Sequence, residues 1–317
     1  MTHRTDPLRR SVAALLAAAL LLGACDGPPV APLAHPVPSV PILAPPPPET
    51  AASAAIRSYY AEVQSSLLSQ GLLRTDGGAP DAPFTDRNLT ENFLRVALYE
   101  EYARGQISTS RSQTPIHLLR WDQPIRVSVQ FGPSISREKQ AADRARIASY
   151  FARLARLTGL SIAMSDNHPN FWVHFGSVDE RAALGPALNA ELAGLTQGQI
   201  AAVTNMDRNT YCQVLTQSNP ATNTYTAAVA VIPSEHPDLL RMSCIHEELA
   251  QALGLPNDSN AARPSIFNDD EEFALLTPQD ELMLRILYNP ALRPGMTETE
   301  ARPIVQTLAN RLMSGES

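Results

Sequence analysis

From Pro28 to Pro48 the chain carries a proline at almost every second or third position, ending in four consecutive prolines at 45–48. Proline fixes φ and has no amide hydrogen, so this stretch can neither continue a helix nor take a central place in a sheet. It reads as an extended polyproline II spacer; service as a proline-motif ligand for a partner domain is the other use of such a segment. A core must therefore be built from what lies beyond residue 50.

Ahead of the spacer, Arg4, Arg9 and Arg10 precede an almost pure Ala/Leu run over 12–22. That run is too short to span a hydrocarbon core of roughly 30 Å as a helix, so it reads as the apolar part of an export signal. It ends in Leu22-Gly23-Ala24-Cys25, which resembles the lipobox of bacterial lipoproteins. The resemblance implies cleavage before Cys25, a lipid on that cysteine, and a body held to a membrane of the cell envelope and facing the periplasm. Residues 1–24 are then a signal peptide, and 25–50 a lipidated cysteine with its tether. Asp26 bears on sorting between inner and outer membrane, and the sequence leaves that choice open.

Once residues 1–24 are removed, with Arg4, Arg9, Arg10 and Asp6 among them, 22 basic and 31 acidic side chains remain, a formal charge of −9. Nucleic acid and anionic membrane surfaces select basic patches, so neither is expected as the main partner. Besides Cys25 there are two cysteines, Cys212 and Cys244. In an oxidising compartment two cysteines pair, and a disulfide is expected between them.

Periodicity gives the elements. Residues 51–76 place Ile56, Tyr59, Tyr60, Val63, Leu67 and Leu68 at helical spacing, and a second helix is expected over 90–104 with Thr90 as its cap. Residues 125–131 alternate at period two, as a strand does. A helix over 136–157 and short strands over 160–164, 171–175, 211–215 (carrying Cys212) and 225–232 follow. Next come a helix over 239–253 closed by Gly254 and a helix from Thr277 to Tyr288 with Pro278 in its first turn. This predicts an α+β body: a small, mixed, twisted sheet with a long backing helix and a second helix beneath it. Residues 51–110 would form a helical extension, 111–296 the main domain and 297–317 a C-terminal helix or tail.

Near the end of the 239–253 helix stands Glu247-Glu248-Leu-Ala-Gln251-Ala-Leu-Gly254-Leu-Pro-Asn257, followed by Asp258. Together with the order of elements, this resembles the zinc endopeptidases called metzincins. In their H-E-x-x-H-x-x-G-x-x-H motif, two histidines one helical turn apart and a third beyond a glycine bind zinc, and the glutamate works on the metal-bound water. Aligned on Gly254, the spacing matches throughout. The resemblance assigns the former ligand positions to Glu247, Gln251 and Asn257 and the general-base position to Glu248. It also likens Ser265-Ile-Phe-Asn268 to the family's methionine turn, with Phe267 or Ile266 in the methionine's place. The run E-E-x-x-Q-x-x-G-L-x-N-D is similar to that of an alphaproteobacterial family of secreted proteins of unassigned function. His246 lies about 100° around the helix from Glu247 and is expected to point elsewhere.

Loss of all three histidines is expected to remove high-affinity zinc, and no metal or other cofactor is expected. The leading reading is a polar network of Glu247, Glu248, Gln251, Asn257 and Asp258 that keeps the geometry without catalysis. An oxygen-rich site for Ca2+ is a second reading. A hydrolase using Glu248 with zinc, an unusual metal or none is a third, and a helix that merely turns Glu and Gln to solvent is the plain one. The functional expectation is an envelope-anchored binding or structural protein whose partner is an envelope protein or peptide. The alternative is a metal-dependent peptidase with a non-standard ligand set. The acidic run 269–272 reads as a solvated loop, and His168 and His174 as structural residues.

Overall fold

The computed structural model describes residues 47–78, 80–100 and 114–315. The export signal, Cys25, most of the proline tract and the end of the 90–104 segment lie outside them. No described helix is long and apolar enough to cross a membrane.

Helix α1 (Ala51–Ser69) starts at Thr50, whose side chain accepts from Ser53 N. It ends earlier than the apolar spacing predicts. Gly71 and Leu73 take positive φ, and the chain then lies beside 271–273, with Leu73 N donating to Glu271 O, Arg74 N to Glu272 O and an isolated parallel bridge between Arg74 and Phe273. The helix buries only Ser53 and Tyr60, and Leu68 is exposed, so the six-residue stripe is not a core face. Helix α2 (Asp86–Ala97) is capped by a reciprocal Thr85–Asn88 box. Thr90, expected as the cap, sits one turn inside and donates to Asp86 O. The two-residue strands β1 (Tyr99–Glu100) and β2 (Thr114–Pro115) pair antiparallel.

The main sheet is built from β3 (Ile125–Phe131), β4 (Ile162–Met164), β5 (Phe171–Gly176), β6 (Gln213–Asn219) and β7 (Thr224–Pro233). Its order is β4-β3-β5-β7-β6, with β6 an antiparallel edge and the rest parallel. The mixed sheet of an α+β body is therefore as expected, although β6 begins just after Cys212 instead of containing it.

Helix α3 (Arg137–Thr158), capped by Ser136, and helix α7 (Asp238–Gln251) pack on one face through Ile147, Phe151, Leu154, Ile245 and Leu249. Helices α4 (Val178–Ala182), α5 (Gly185–Glu191) and α6 (Gln197–Thr204) connect β5 to β6, and Leu188, Leu192 and Val203 cover part of the other face. Strand β7 is thus buried on both sides: Ala228, Ala230 and Ile232 meet one cluster, Val229 and Val231 the other. That explains its unbroken apolar run.

Helices α4 to α6 have no apolar periodicity to announce them. Two capping boxes, Ser177–Glu180 and Thr196–Gln199, are their sequence signal. Helices α8 (Pro278–Leu287) and α9 (Glu298–Ser314) complete the body, and α9 packs along α2 with Arg302 bonded to both Glu91 and Glu298.

Cys212 and Cys244 are joined, with 5.8 Å between their Cα atoms. The expected disulfide therefore ties α7 to the chain entering the edge strand. Closing a loop of this length is worth about 3–4 kcal/mol in the chain-entropy model.

Candidate functional site

Helix α7 carries the residues singled out by the motif. Its first turn has Asp238 at the positive end of the dipole, and it stops because Gly254 adopts φ 119°. A side chain at Gly254 would strike the carbonyl oxygen of Leu119 and come within 3.0 Å of Leu287 Cδ2. Two independent constraints, backbone sign and close approach, therefore require glycine there.

The turn delivers Asn257 to the C-terminal end of α2. Asn257 is fully buried; its amide N–H donates to Val96 O at 3.2 Å and its side-chain Nδ2 to Arg95 O at 2.8 Å. Its Oδ1 is buried and accepts no hydrogen bond. One turn back, Gln251 Nε2 donates to Asp258 Oδ1 at 2.9 Å. Glu248 is buried and Glu247 half-buried. Asn257 is turned to the α2 backbone, while Gln251 and Asp258 pair together.

His246 faces away from these groups. Its ring stacks on Tyr150 of α3 at 4.0 Å, its Nδ1 accepts from Leu276 N at 3.0 Å, and its carbonyl accepts from Tyr150 OH. Burial, with a smaller push from Arg153, lowers its pKa to about 3, so the ring is neutral.

Beneath the motif, Phe267 is wholly buried in the main core, and its carbonyl accepts from Ser259 N. The turn it sits on is organised by Asp280 at the start of α8. Asp280 accepts from Ser265 Oγ at 2.6 Å, from Ile266 N, and from both the amide and the hydroxyl of Thr277. Burial raises its pKa to about 6 against the opposing pull of those hydrogen bonds. The motif did not reveal this hub, though Thr277-x-x-Asp280 is a capping-box pattern that encodes it.

Elsewhere, one expectation needs correcting. The run 269–272 is not simply solvated. Glu272 binds Arg74 and Arg263, and burial, with Asp269 and Asp270 nearby, raises Glu271 to about 7. A second set of buried charges, Arg241–Asp143 and Arg181–Glu235, ties α3, α4 and α7 to the end of β7 around His236. These pairs are far apart in sequence and left no local pattern to read. His174, read as structural, holds Glu191 through Nε2 at 2.8 Å, while no side-chain bond of His168 is among the described contacts.

The donor chemistry does not fit zinc. Two of the three ligand positions are neutral amides, each already bonded through its nitrogen, and His246 is committed to α3 and the chain before α8. Among the described residues no group of three or more His, Cys, Asp or Glu side chains is placed to hold a metal ion.

Fold and site together define a mixed α+β domain with a disulfide-tied helix that ends in a glycine turn and presents glutamate and amide side chains. The chain belongs to the family described as "Protein of unknown function (DUF2927)", whose model matches residues 86–307, from the start of α2 into α9. No curated protein matches the chain.

Proposed function

We propose that this chain is an envelope-anchored lipoprotein whose body is a metalloprotease-like domain without the catalytic metal, serving in binding or structure. The observation that supports this reading most is the fate of the ligand positions. The helix, the glycine turn and the residue three beyond it keep metzincin spacing, yet Asn257 and Gln251 are spent on hydrogen bonds that hold the turn. The lipid anchor rests on Leu22–Cys25 and the tether after it. The Cys212–Cys244 bond accords with an oxidising compartment. The partner fitting such a body is an envelope protein or an extended peptide added at the outer edge of β6, the edge strand of the sheet.

The test is elemental analysis of the chain purified without chelator or metal-affinity resin, followed by a peptide-hydrolysis assay with Glu248→Gln as control. The expected result is no stoichiometric metal and no hydrolysis above the control. Stoichiometric zinc with activity lost in Glu248→Gln would replace this reading with that of a peptidase.

A second reading, an oxygen-ligated cation such as Ca2+, draws on one observation: Asn257 Oδ1 is a buried acceptor without a donor. Stoichiometric calcium in the same analysis would select it.

A further inference from the structure

The chain entering β3 and the chain leaving α8 run beside each other. Leu118 N donates to Met296 O and Gly295 N to Leu118 O, while Tyr225 N, near the start of β7, donates to Arg120 O. These backbone bonds gather Arg120, Arg293 and the turn between β6 and β7 around one cleft at the amino ends of β3 and β7. The cleft has a volume of about 460 Å³, and none of its lining residues belongs to the α7 motif.

Arg120 is half-buried in this cleft, and its guanidinium is held in place. Nη1 donates to Leu287 O at 2.8 Å and to Asn289 O at 3.3 Å, and Cζ lies over the Tyr288 ring, 5.8 Å from its centroid. Satisfying carbonyls at the end of α8 is an ordinary structural task for an arginine, but here it accounts for Nη1 alone. Among the described residues Nε and Nη2 donate to nothing. Those two N–H groups form the edge of a guanidinium that grips a carboxylate through two parallel hydrogen bonds.

The rest of the lining suits one negative charge. Arg293 stands exposed at the mouth and forms no ion pair among the described residues. The hydroxyls of Thr222 and Thr224 share one hydrogen bond at 2.8 Å, which uses one of their two protons and leaves the other to donate. Asp122, also exposed, is the single acid of the lining. Two arginines and one aspartate sum to +1, which a monoanion neutralises and a phosphate dianion exceeds. Burial lowers the pKa of Arg120 although Asp122 opposes it, as befits a cation short of a counter-charge.

We infer that this cleft is a binding site for a small monocarboxylate, gripped through Nε and Nη2 of Arg120. Arg293 and the unspent threonine hydroxyl complete the shell of the anion, and Tyr288 and Pro294 offer apolar surface to its body. The site does not depend on the reading of the α7 motif.

The experiment is a titration of the 15N-labelled full chain with benzoate, following the backbone amides of Thr222 and Thr224 and the Nε–H of Arg120. Benzamide serves as the neutral control of the same shape, and inorganic phosphate as the dianion. The expected result is saturable movement of these signals with benzoate, none with benzamide, and weaker binding of phosphate. Arg120→Lys keeps the charge but not the fork, and should weaken benzoate about tenfold or more. Because that change also loosens the end of α8, Arg293→Glu provides a second test at an exposed position; it turns the lining from +1 to −1 and should have the same effect. Non-saturating shifts, equal binding of benzamide, tighter binding of phosphate, or benzoate affinity unchanged in Arg293→Glu would overturn the assignment.

Discussion

Replacing Asn257 by aspartate changes one atom and keeps the shape, yet it should make the protein's stability depend on pH in a way the native chain's does not. The native Nδ2 donates to Arg95 O at 2.8 Å in a fully buried place. An ionised aspartate there would set a carboxylate oxygen against a carbonyl oxygen with no water to intervene. A protonated aspartate can still donate to Arg95 O through its hydroxyl. The fold therefore favours the neutral acid, and burial of this degree raises a carboxyl pKa by about 3 units or more above its unfolded value of roughly 3.9. A folded pKa above the unfolded one means the variant keeps its stability below about pH 4 and loses it as pH rises toward 7. The loss is about 1.4 kcal/mol per unit, so about 4 kcal/mol at pH 7. Urea unfolding of variant and native chains at pH 4, 5, 6 and 7 measures the difference directly, because all other titrations cancel. The expected difference is under about 1 kcal/mol at pH 4 and widens steadily. A difference that stays constant with pH, or that vanishes at pH 7, would refute the claim that this amide holds the turn to α2.

His246 supplies a second pH test. Its folded pKa of about 3 lies below the ordinary 6.5, so its contribution is whole above pH 6.5 and declines as pH falls toward 3. His246→Asn, whose oxygen can still accept from Leu276 N, should flatten the acid limb of the stability–pH curve between those values, and an unchanged limb would count against burial as the cause. Gly254→Ala should lower stability by about 2–5 kcal/mol, combining positive-φ strain with the clash at Leu119 O; thermal unfolding at an unchanged midpoint would contradict both. Reduction of Cys212–Cys244, or Cys212→Ser, should lower unfolding stability by about 3–4 kcal/mol while leaving the α7 helix signal in circular dichroism intact. A shift under 1 kcal/mol would mean the staple constrains little of the unfolded chain.

What the sequence made legible follows from how local each signal is. The alternation in β3, the Ser136 cap of α3 and the Thr277–Pro278 start of α8 are encoded within a few residues, and each lies where its pattern places it. The α1 stripe misled because spacing says nothing about a partner: only Tyr60 among its large residues is buried, and the chain after Ser69 is pinned to residues 271–273 by backbone bonds. The motif located α7 and Gly254, but not the role of Asn257, whose partners are backbone carbonyls of α2. Asp280 had a local signal in its capping box with Thr277, but Arg241–Asp143 and His174–Glu191 went unread for the same reason as Asn257. Their partners become neighbours only when the sheet order β4-β3-β5-β7-β6 is known.

The way the turn after α7 is tied carries a last prediction. In a metal site the ion itself ties such a turn to its helix, and that binding energy becomes part of folding stability. Here Gly254 packs on Leu119 O, Gln251 holds Asp258, and Asn257 holds Arg95 O and Val96 O. These ties run between protein groups, three of them ending on backbone, and no chelator can remove them. Unfolding of the full chain should therefore be the same with and without EDTA. If the orphaned Oδ1 of Asn257 served a bound cation at one hundred times its Kd, chelation would remove about 2.7 kcal/mol and lower the midpoint visibly. A midpoint that falls with EDTA and recovers with added calcium, but falls no further in Asn257→Ala, would transfer the tie from the hydrogen bonds to the ion. A midpoint indifferent to EDTA yet lowered by Asn257→Ala would leave it with the amide.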